Sequence, residues 1–583
     1  MGALSSLVFV FGTPGIRLSR VARQIRSKAD DQKLKVIDFE DEYFKKKFKE
    51  KYNHSPSSMG EVIGDYPQFV IKEVVQEALK SIFDNVRKDK TERKTVVFAH
   101  LEYYSNRTRE YYSAWDASMF SNEIIRELKG SKIILLIDDV YDMFIDLWGD
   151  SKSNNLYSYR NLTDDFLKSI KQKVSGSNDE KSFVLLEAKY STLSELLFWR
   201  ESELTLARSL SDALNLEFHI FGVKNDAKSF LKLVTEKIKT VYLSHVISDF
   251  RAKKKTSSVW PSIVTQINEI PRLLLDNLVV LAPTSIDELR LERFGQDGPG
   301  LSERWPFEQE QSLYIPPECD SKYEDVWGKT PNSYNILDLD FFDDEGNLRK
   351  LEESVSYGNT IDSLRQILKY QISGQITSRD LAIIENVSGL IVFRGLAGKE
   401  KHFSTGVGAE IRHWKNITMR NKELGRPVKL NKIVFAHFKE DLLKETDIKF
   451  NQYYTTNLNI VINKLGEEFD WIPKLNPDEK TGLANLLSGS SSNGSGPFGP
   501  MEITNNLNGL YEKNKDRLYK RSIEISQMGH QSYQLSFDHS FENLFRVFVF
   551  ENWDDFKKRK KEIVDFILTN SIANNGDSDI SEH

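Results

Sequence analysis

The chain has 583 residues, enough for about two to four domains, and its 39% hydrophobic content supplies sizeable cores, which excludes wholesale disorder. Eighty basic against 86 acidic residues leave a net charge of -6, which excludes a chain-wide electrostatic grip on nucleic acid and leaves only a local patch open. The single cysteine, Cys319, excludes an internal disulfide framework and a cysteine-rich zinc module, and it fits a reducing, cytoplasmic setting.

Leu7 to Phe11 is an apolar run of strand length, ended by Gly12-Thr13-Pro14-Gly15. Leu34 to Phe39 reads as a second strand, and Ile71, Val74, Val75, Ala78, Leu79 and Ile82 repeat at helical spacing. Thr95 to Ala99 and Ile133 to Ile137 are continuous apolar runs, as expected of strands buried on both faces. Phe183 to Leu186 and Phe218 to Val223 read as two more. Strands separated by helices predict a parallel α/β domain over residues 1–232.

A second series begins near residue 235. Val241 to Leu243, Leu278 to Ala282, Gly389 to Phe393 and Ile433 to Ala436 read as strands, with helical patterns at Ile361 to Leu368 and Ala409 to Arg420. This predicts a second α/β domain over residues 233–475, interrupted by a polar, Pro- and Gly-bearing insertion from Gly295 to about Asn347. Ser488 to Gly496 has the composition of a flexible linker. The tail, residues 476–583, carries a polar helical stretch from Asn505 to Tyr519, an apolar patch at Val547 to Phe550 and a closing helix from about Asp554 to Leu568. The fold class is thus two parallel-sheet α/β domains in tandem with a helical C-terminal tail. No apolar run approaches the ~20 residues of a membrane span, so no membrane partner is expected.

Strand, then Gly12-Thr13-Pro14-Gly15-Ile16-Arg17-Leu18-Ser19, then helix is the layout in which backbone N–H groups cradle phosphates at a helix N-terminus. Arg17 stands where such a loop has its last glycine, Leu18 where it has its lysine, and Ser19 in the magnesium-ligand position. Asp138, after the apolar run 133–137, is placed like the acidic group that supports the metal. The turn resembles that of adenylate-kinase-like P-loop kinases over residues 1–230. The resemblance implies a nucleotide site at Gly12, Gly15, Arg17, Ser19 and Asp138, with magnesium or nucleotide as its cofactors. Leucine cannot neutralise a transferring phosphate, so phosphoryl transfer is not expected; Arg17 keeps a weak phosphate contact open.

In the second series, Tyr242 lies near the tip of a strand and is followed by Ser244 and His245. Ser378-Arg379-Asp380 reads as a helix start, and Ser404-Thr405-Gly406-Val407-Gly408-Ala409-Glu410 as a glycine-bearing turn that opens a helix. Glu410 is expected at or near the first turn, where the helix dipole favours an anion. Such a carboxylate can attack an anomeric carbon while a second carboxyl group protonates the leaving group.

These segments resemble nucleoside 2-deoxyribosyltransferases and related nucleoside N-glycosidases over about 40% of the chain. The resemblance implies that Tyr242 orients a nucleophilic Glu410 and that Asp380 assists proton transfer. It also implies that Ser404, Gly406, Gly408, Ser244 and His245 meet the sugar and base. Where the family commonly has an aspartate a few residues before its glutamate, this chain has Ser404. The implied substrate is a nucleoside or nucleotide, with no cofactor required for the glycosidic chemistry and no metal ligand set. Kinase-like and glycosidase-like modules on one chain would suit antiviral defence, in which nucleotide depletion stops a phage. A catalytically inactive nucleotide-binding or scaffold protein is the competing expectation, with a homo-oligomer or protein partner left open.

Overall fold

A computed structural model describes residues 4–138 with short gaps, 143, 178–246, 260–283, 313, 340–342, 348–350, 358–397, 402–423, 432–438 and 544–569. The expected linker at 488–496, the helical stretch at 505–519, Gly15 and most of the 295–347 insertion lie outside the described residues. The chain divides into two compact units, residues 1–238 with 281–386, and residues 239–280 with 387–583. The units change at 238/239, where the sequence reading placed a boundary at 232/233, and the segment 281–386 joins the first unit.

The first unit opens with β1 (Leu7–Gly12) and α1 (Leu18–Lys28), followed by β2 (Leu34–Asp38), α2 (Lys45–Tyr52), α3 (Met59–Asp65) and α4 (Gln68–Lys88). Then come β3 (Lys94–Ala99), a hairpin of β4 (Glu102–Ser105) and β5 (Glu110–Ser113), α5 (Asn122–Glu127) and β6 (Lys132–Ile137). The long helix α6 (Asn178–Leu214), β7 (Glu217–Gly222) and α7 (Ala227–Thr235) complete the series.

The five main strands pair in parallel in the order β2-β3-β1-β6-β7. All six residues of β1 and of β6 are buried, which explains their unbroken apolar runs. α4 buries Val70, Val74, Ala78 and Ile82, spaced at one helical face. Phe9, Phe11 and Phe39 pack their rings on Trp115 at centroid distances of 5.9, 5.2 and 4.9 Å.

Phe183 to Leu186, expected as a strand, belongs to α6. No glycine or proline punctuates residues 178–214, so a short apolar run there continues the helix. α6 ends where Asn215 takes the left-handed backbone, φ 52°.

The second unit contains β8 (Lys239–His245), α8 (Trp260–Leu274) and β9 (Leu278–Leu281). The intervening insertion holds an antiparallel hairpin, β10 (Asp340–Phe342) with β11 (Leu348–Lys350), and α9 (Gly358–Asn386) returns to the first unit. The second unit resumes with β12 (Gly389–Phe393), the small pair β13 (Leu396–Ala397) and β14 (His402–Phe403), α10 (Thr405–Glu423) and β15 (Lys432–Phe438). β16 (Phe545–Phe550) and α11 (Trp553–Leu568) close it.

The sheet order is β16-β15-β12-β8-β9, with β8, β12, β15 and β16 pairing in parallel. The apolar patch 547–550 is therefore a strand of this sheet, and the expected closing helix forms beside it. α11 buries Phe556, Ile563, Val564 and Ile567, and the rings of Trp553 and Phe556 stack at 4.8 Å. Two strand-start lysines hold its C-terminal end. Lys432 Nζ donates to the carbonyls of Phe566 and Thr569, each at 2.7 Å, and Lys239 Nζ to those of Ile567 and Leu568 at 3.5 and 3.4 Å. Cations at a helix C-terminus satisfy orphan carbonyls and oppose the dipole.

A buried carboxyl pair lies where the chain leaves β3. Glu203 of α6 accepts from the Leu101 N–H at 3.2 Å, and Glu102 accepts from Ser202 Oγ at 3.1 Å. Burial raises Glu102 from 4.5 to about 7, and burial together with the neighbouring Glu102 charge raises Glu203. A carboxyl raised by folding favours the native state below its unfolded pKa, and that contribution is lost as pH climbs from about 4.5 to about 7. Glu102→Gln keeps the acceptor for Ser202 and removes the ionisation. The variant should outlast the parent at pH 8 by on the order of 2–3 kcal/mol and show a shallower slope between pH 4.5 and 7. Urea midpoints across that range check this. The slope shrinks without vanishing, because Glu40 is raised to about 7 as well.

Candidate active site

Side chains alternate across a strand, so Tyr242 and Ser244 leave β8 on the same face and His245 on the other. The Tyr242 hydroxyl donates to Glu410 Oε1 at 3.0 Å, and Ser244 Oγ donates to Glu410 Oε2. Both carboxylate oxygens thus act as acceptors, the pattern of an ionised group. Tyr242 and Ser244 are fully buried, and Glu410 is half-buried. A carboxylate held at both oxygens is fixed in direction, which an attack on one carbon requires.

The strand order places this group where ligands of open α/β sheets bind. The chain leaves β8 to β9 on one side, and β12 lies on the other, so the order reverses at β8. α10, which carries Glu410, follows β12, and β12 pairs with β8 in register Val392 to Ser244. Glu410 therefore meets the carboxyl-end half of β8 beside the reversal point.

α10 begins four residues before the helical pattern expected from Ala409. The helix starts at Thr405, so Glu410 is its sixth residue and no acidic group lies in the first turn. Ser404 is the reason: its Oγ accepts from the Val407 N–H at 3.3 Å and its carbonyl from the Gly408 N–H at 2.8 Å, so it caps the helix and draws both glycines inside. Interior glycine costs a helix about 1 kcal/mol relative to alanine. A Cβ on Gly406 would meet nothing within 4 Å, so no protein atom demands a glycine there. Gly406→Ala should raise stability by about 0.5–1 kcal/mol. If a sugar approaches this bare backbone, the same change also raises KM; thermal melts with initial-rate measurements separate the two effects.

Asp380 does not start a helix, contrary to the sequence reading. It lies inside the continuous helix α9, in the first unit, and Arg379 Nε and Nη2 donate to its Oδ1 at 3.1 and 3.0 Å. Ser378-Arg379-Asp380 is no helix start, because the preceding residues from Gly358 onward are already helical. His245 is buried, with Nδ1 3.5 Å from the Val246 carbonyl oxygen, on the strand face away from Glu410. The structure therefore brings together Tyr242, Ser244 and Glu410, with Ser404, Gly406 and Gly408 in the cap and first turn of α10. Ser244, expected to meet substrate, donates to the Glu410 carboxylate. The period of two along β8 was the signal that could have paired it with Tyr242.

In the first unit, Leu18 is buried in the lysine position. A Cβ on Gly12 would come 2.5 Å from Leu18 Cδ2, so the loop glycine admits the leucine side chain. Ser19 hydrogen-bonds Asp38. Asp138 pairs with the buried ammonium of Lys224 at 3.1 Å, and its carbonyl accepts from Arg200 at 3.1 Å. His100, held neutral by burial that lowers it to about 4, donates Nδ1–H to the Gly12 carbonyl at 2.8 Å. Lys224, Arg200 and His100 were missed by sequence reasoning, since none belongs to a loop motif. Lys224 supplies the positive charge beside Asp138 that a magnesium ion would otherwise bring, which leaves this carboxylate a poor fit to a metal. Among the described residues no three His, Cys, Asp or Glu side chains gather as a metal site, and no helix is long and apolar enough to cross a membrane.

No family model matches the sequence, and no curated protein is similar enough to it to count as a relative.

Proposed function

We propose that the second unit cleaves or exchanges the N-glycosidic bond of a nucleoside or nucleotide, with Glu410 as the nucleophile. The observation that carries this reading is the double hold on its carboxylate by Tyr242 and Ser244 beside the reversal point of the sheet. In this reading one carboxylate oxygen attacks the anomeric carbon, the carbon–nitrogen bond breaks with its electron pair going to the base, and the base gains a proton. Water or a second base then attacks the same carbon and releases Glu410. The two hydroxyls keep the attacking oxygen aimed and stabilise the carboxylate again when it leaves. Asp380 is not required: a base that leaves as a stabilised anion takes its proton from solvent.

The test is base release from nucleosides, nucleotides and NAD by the purified protein, followed by chromatography. Absence of free base from all three classes would sink the proposal. The competing binding or scaffold reading gains from the first unit, where Leu18 and Lys224 occupy the positions that phosphoryl transfer would need. For residues 12–19 the expected result is negligible magnesium-dependent ATP turnover by the whole chain. Robust turnover that survives in a Glu410→Gln protein would instead assign the first unit an enzymatic role.

A further inference from the structure

Two bonds cross between α6 and the chain leaving β3. The Leu101 N–H donates to Glu203 Oε1, and Ser202 Oγ donates to Glu102 Oε1, so neighbours on one segment hold neighbours on the other. Both glutamate side chains are buried, at 4% and 0% exposure, and the Oε2 of each is buried with no hydrogen-bond partner. An ionised oxygen buried without a donor loses its hydration uncompensated, and two such charges close together also repel. The charged groups of the elements packed on α6 and β4 are engaged elsewhere. Asp138 pairs with Lys224, Arg200 reaches the Asp138 carbonyl and Gln375, Arg379 pairs with Asp380, and Arg208 with Glu385. Lys132 meets the carbonyls of Leu233 and Glu236, Glu217 meets His219, Asp116 meets Lys72, Asp65 of α3 is exposed, and His100 bonds the Gly12 carbonyl. Among the described residues no lysine, arginine or histidine pairs with Glu102 or Glu203.

The same helix reaches the ends of two strands: Glu203 holds the chain just beyond β3, and Arg200 Nη1 donates to the carbonyl of Asp138, just beyond β6. This is the carboxyl edge, where open α/β sheets take their ligands. We propose that Glu102 and Glu203 together keep one proton at neutral pH and act as a latch that closes α6 over this edge. With the proton in place the pair carries a single charge and the crossed bonds hold. When the proton passes to solvent, two buried like charges face each other, and α6 lifts from the strand ends to rehydrate them. The latch lies in the first unit and is independent of the chemistry at Glu410.

The test is amide hydrogen exchange of the full chain, read by mass spectrometry, with α7 of the same unit as the internal reference. Opening of the whole unit would raise exchange in both helices alike, whereas the latch frees α6 alone. A carboxyl near 7 when closed and near 4.5 when open requires the opening of α6 relative to α7 to rise roughly tenfold between pH 6 and pH 8. Glu102→Gln with Glu203→Gln keeps both accepting oxygens and removes both charges, so its α6 to α7 ratio should stay flat over that range. The infrared spectrum of the parent minus that of the double variant at pH 7 should carry the C=O band of a protonated carboxyl group. The parent's own pH profile decides the matter if the double variant does not fold. A flat ratio in the parent, an equal rise in the double variant, or a difference spectrum without the acid band each overturns the proposal.

Discussion

Glu410→Gln is expected to lower base release by at least about 10³-fold while leaving the fold intact. The amide keeps the shape and still accepts from Tyr242 or Ser244 through its oxygen, but it cannot form the sugar ester. Its NH₂ group faces a hydroxyl that formerly donated, and that hydroxyl can turn to accept instead, so the cost in stability stays small. Tyr242→Phe and Ser244→Ala act differently. Each leaves Glu410 in place and removes one of these two hydrogen bonds, so kcat should fall by about 10–10² while KM changes little. The double variant should lose less than the product of the two, because both act through one group. If Glu410→Gln retains the parent rate, the nucleophile lies elsewhere and the reading of this site fails.

The second large effect concerns Lys224 and Asp138. Both side chains are almost fully buried, 1% and 8% exposed, with Nζ and Oδ1 3.1 Å apart. Lys224→Met strands a buried carboxylate and should destabilise the first unit by about 3–5 kcal/mol, read as a lowered urea midpoint. Adding Asp138→Asn removes the stranded charge and should recover much of that loss. A single variant as stable as the parent would show that Asp138 has another counter-charge. Because Arg200 reaches the Asp138 carbonyl rather than its side chain in that bond, it is not expected to substitute in full.

Most of the strands were legible because each is a short, fully buried apolar run between polar helices, as in Ile133 to Ile137 and Gly389 to Phe393. Phe183 to Leu186 shows the limit of that signal, since a run of four apolar residues has no period of its own. The Tyr242 and Glu410 pairing came from the resemblance to nucleoside deoxyribosyltransferases, whereas Ser244 needed strand alternation and the start of α10 needed the capping role of Ser404. Asp380 misled for a related reason: serine before arginine and aspartate looks like a helix start, but nothing local says that the helix began near Gly358. Lys224, Arg200 and Glu203 were illegible because they act through partners about 60 to 100 residues away in sequence.

Under the proposed function, the two lysines beneath α11 bear on when activity can begin during the chain's own synthesis. Tyr242 emerges from the ribosome early, Glu410 later, and the strand and helix that complete the sheet only after residue 544. At 5–20 residues per second, roughly a quarter of a minute to a minute separates the first part of the site from the last support of its sheet. In that interval the outer edge of β15 has no β16, and Lys239 and Lys432 have no helix carbonyls to meet. A nascent chain therefore carries Glu410 without a finished scaffold to aim it. A nucleotide-destroying activity of this build would stay silent toward the nucleotide pool that feeds its own translation until the chain is nearly complete.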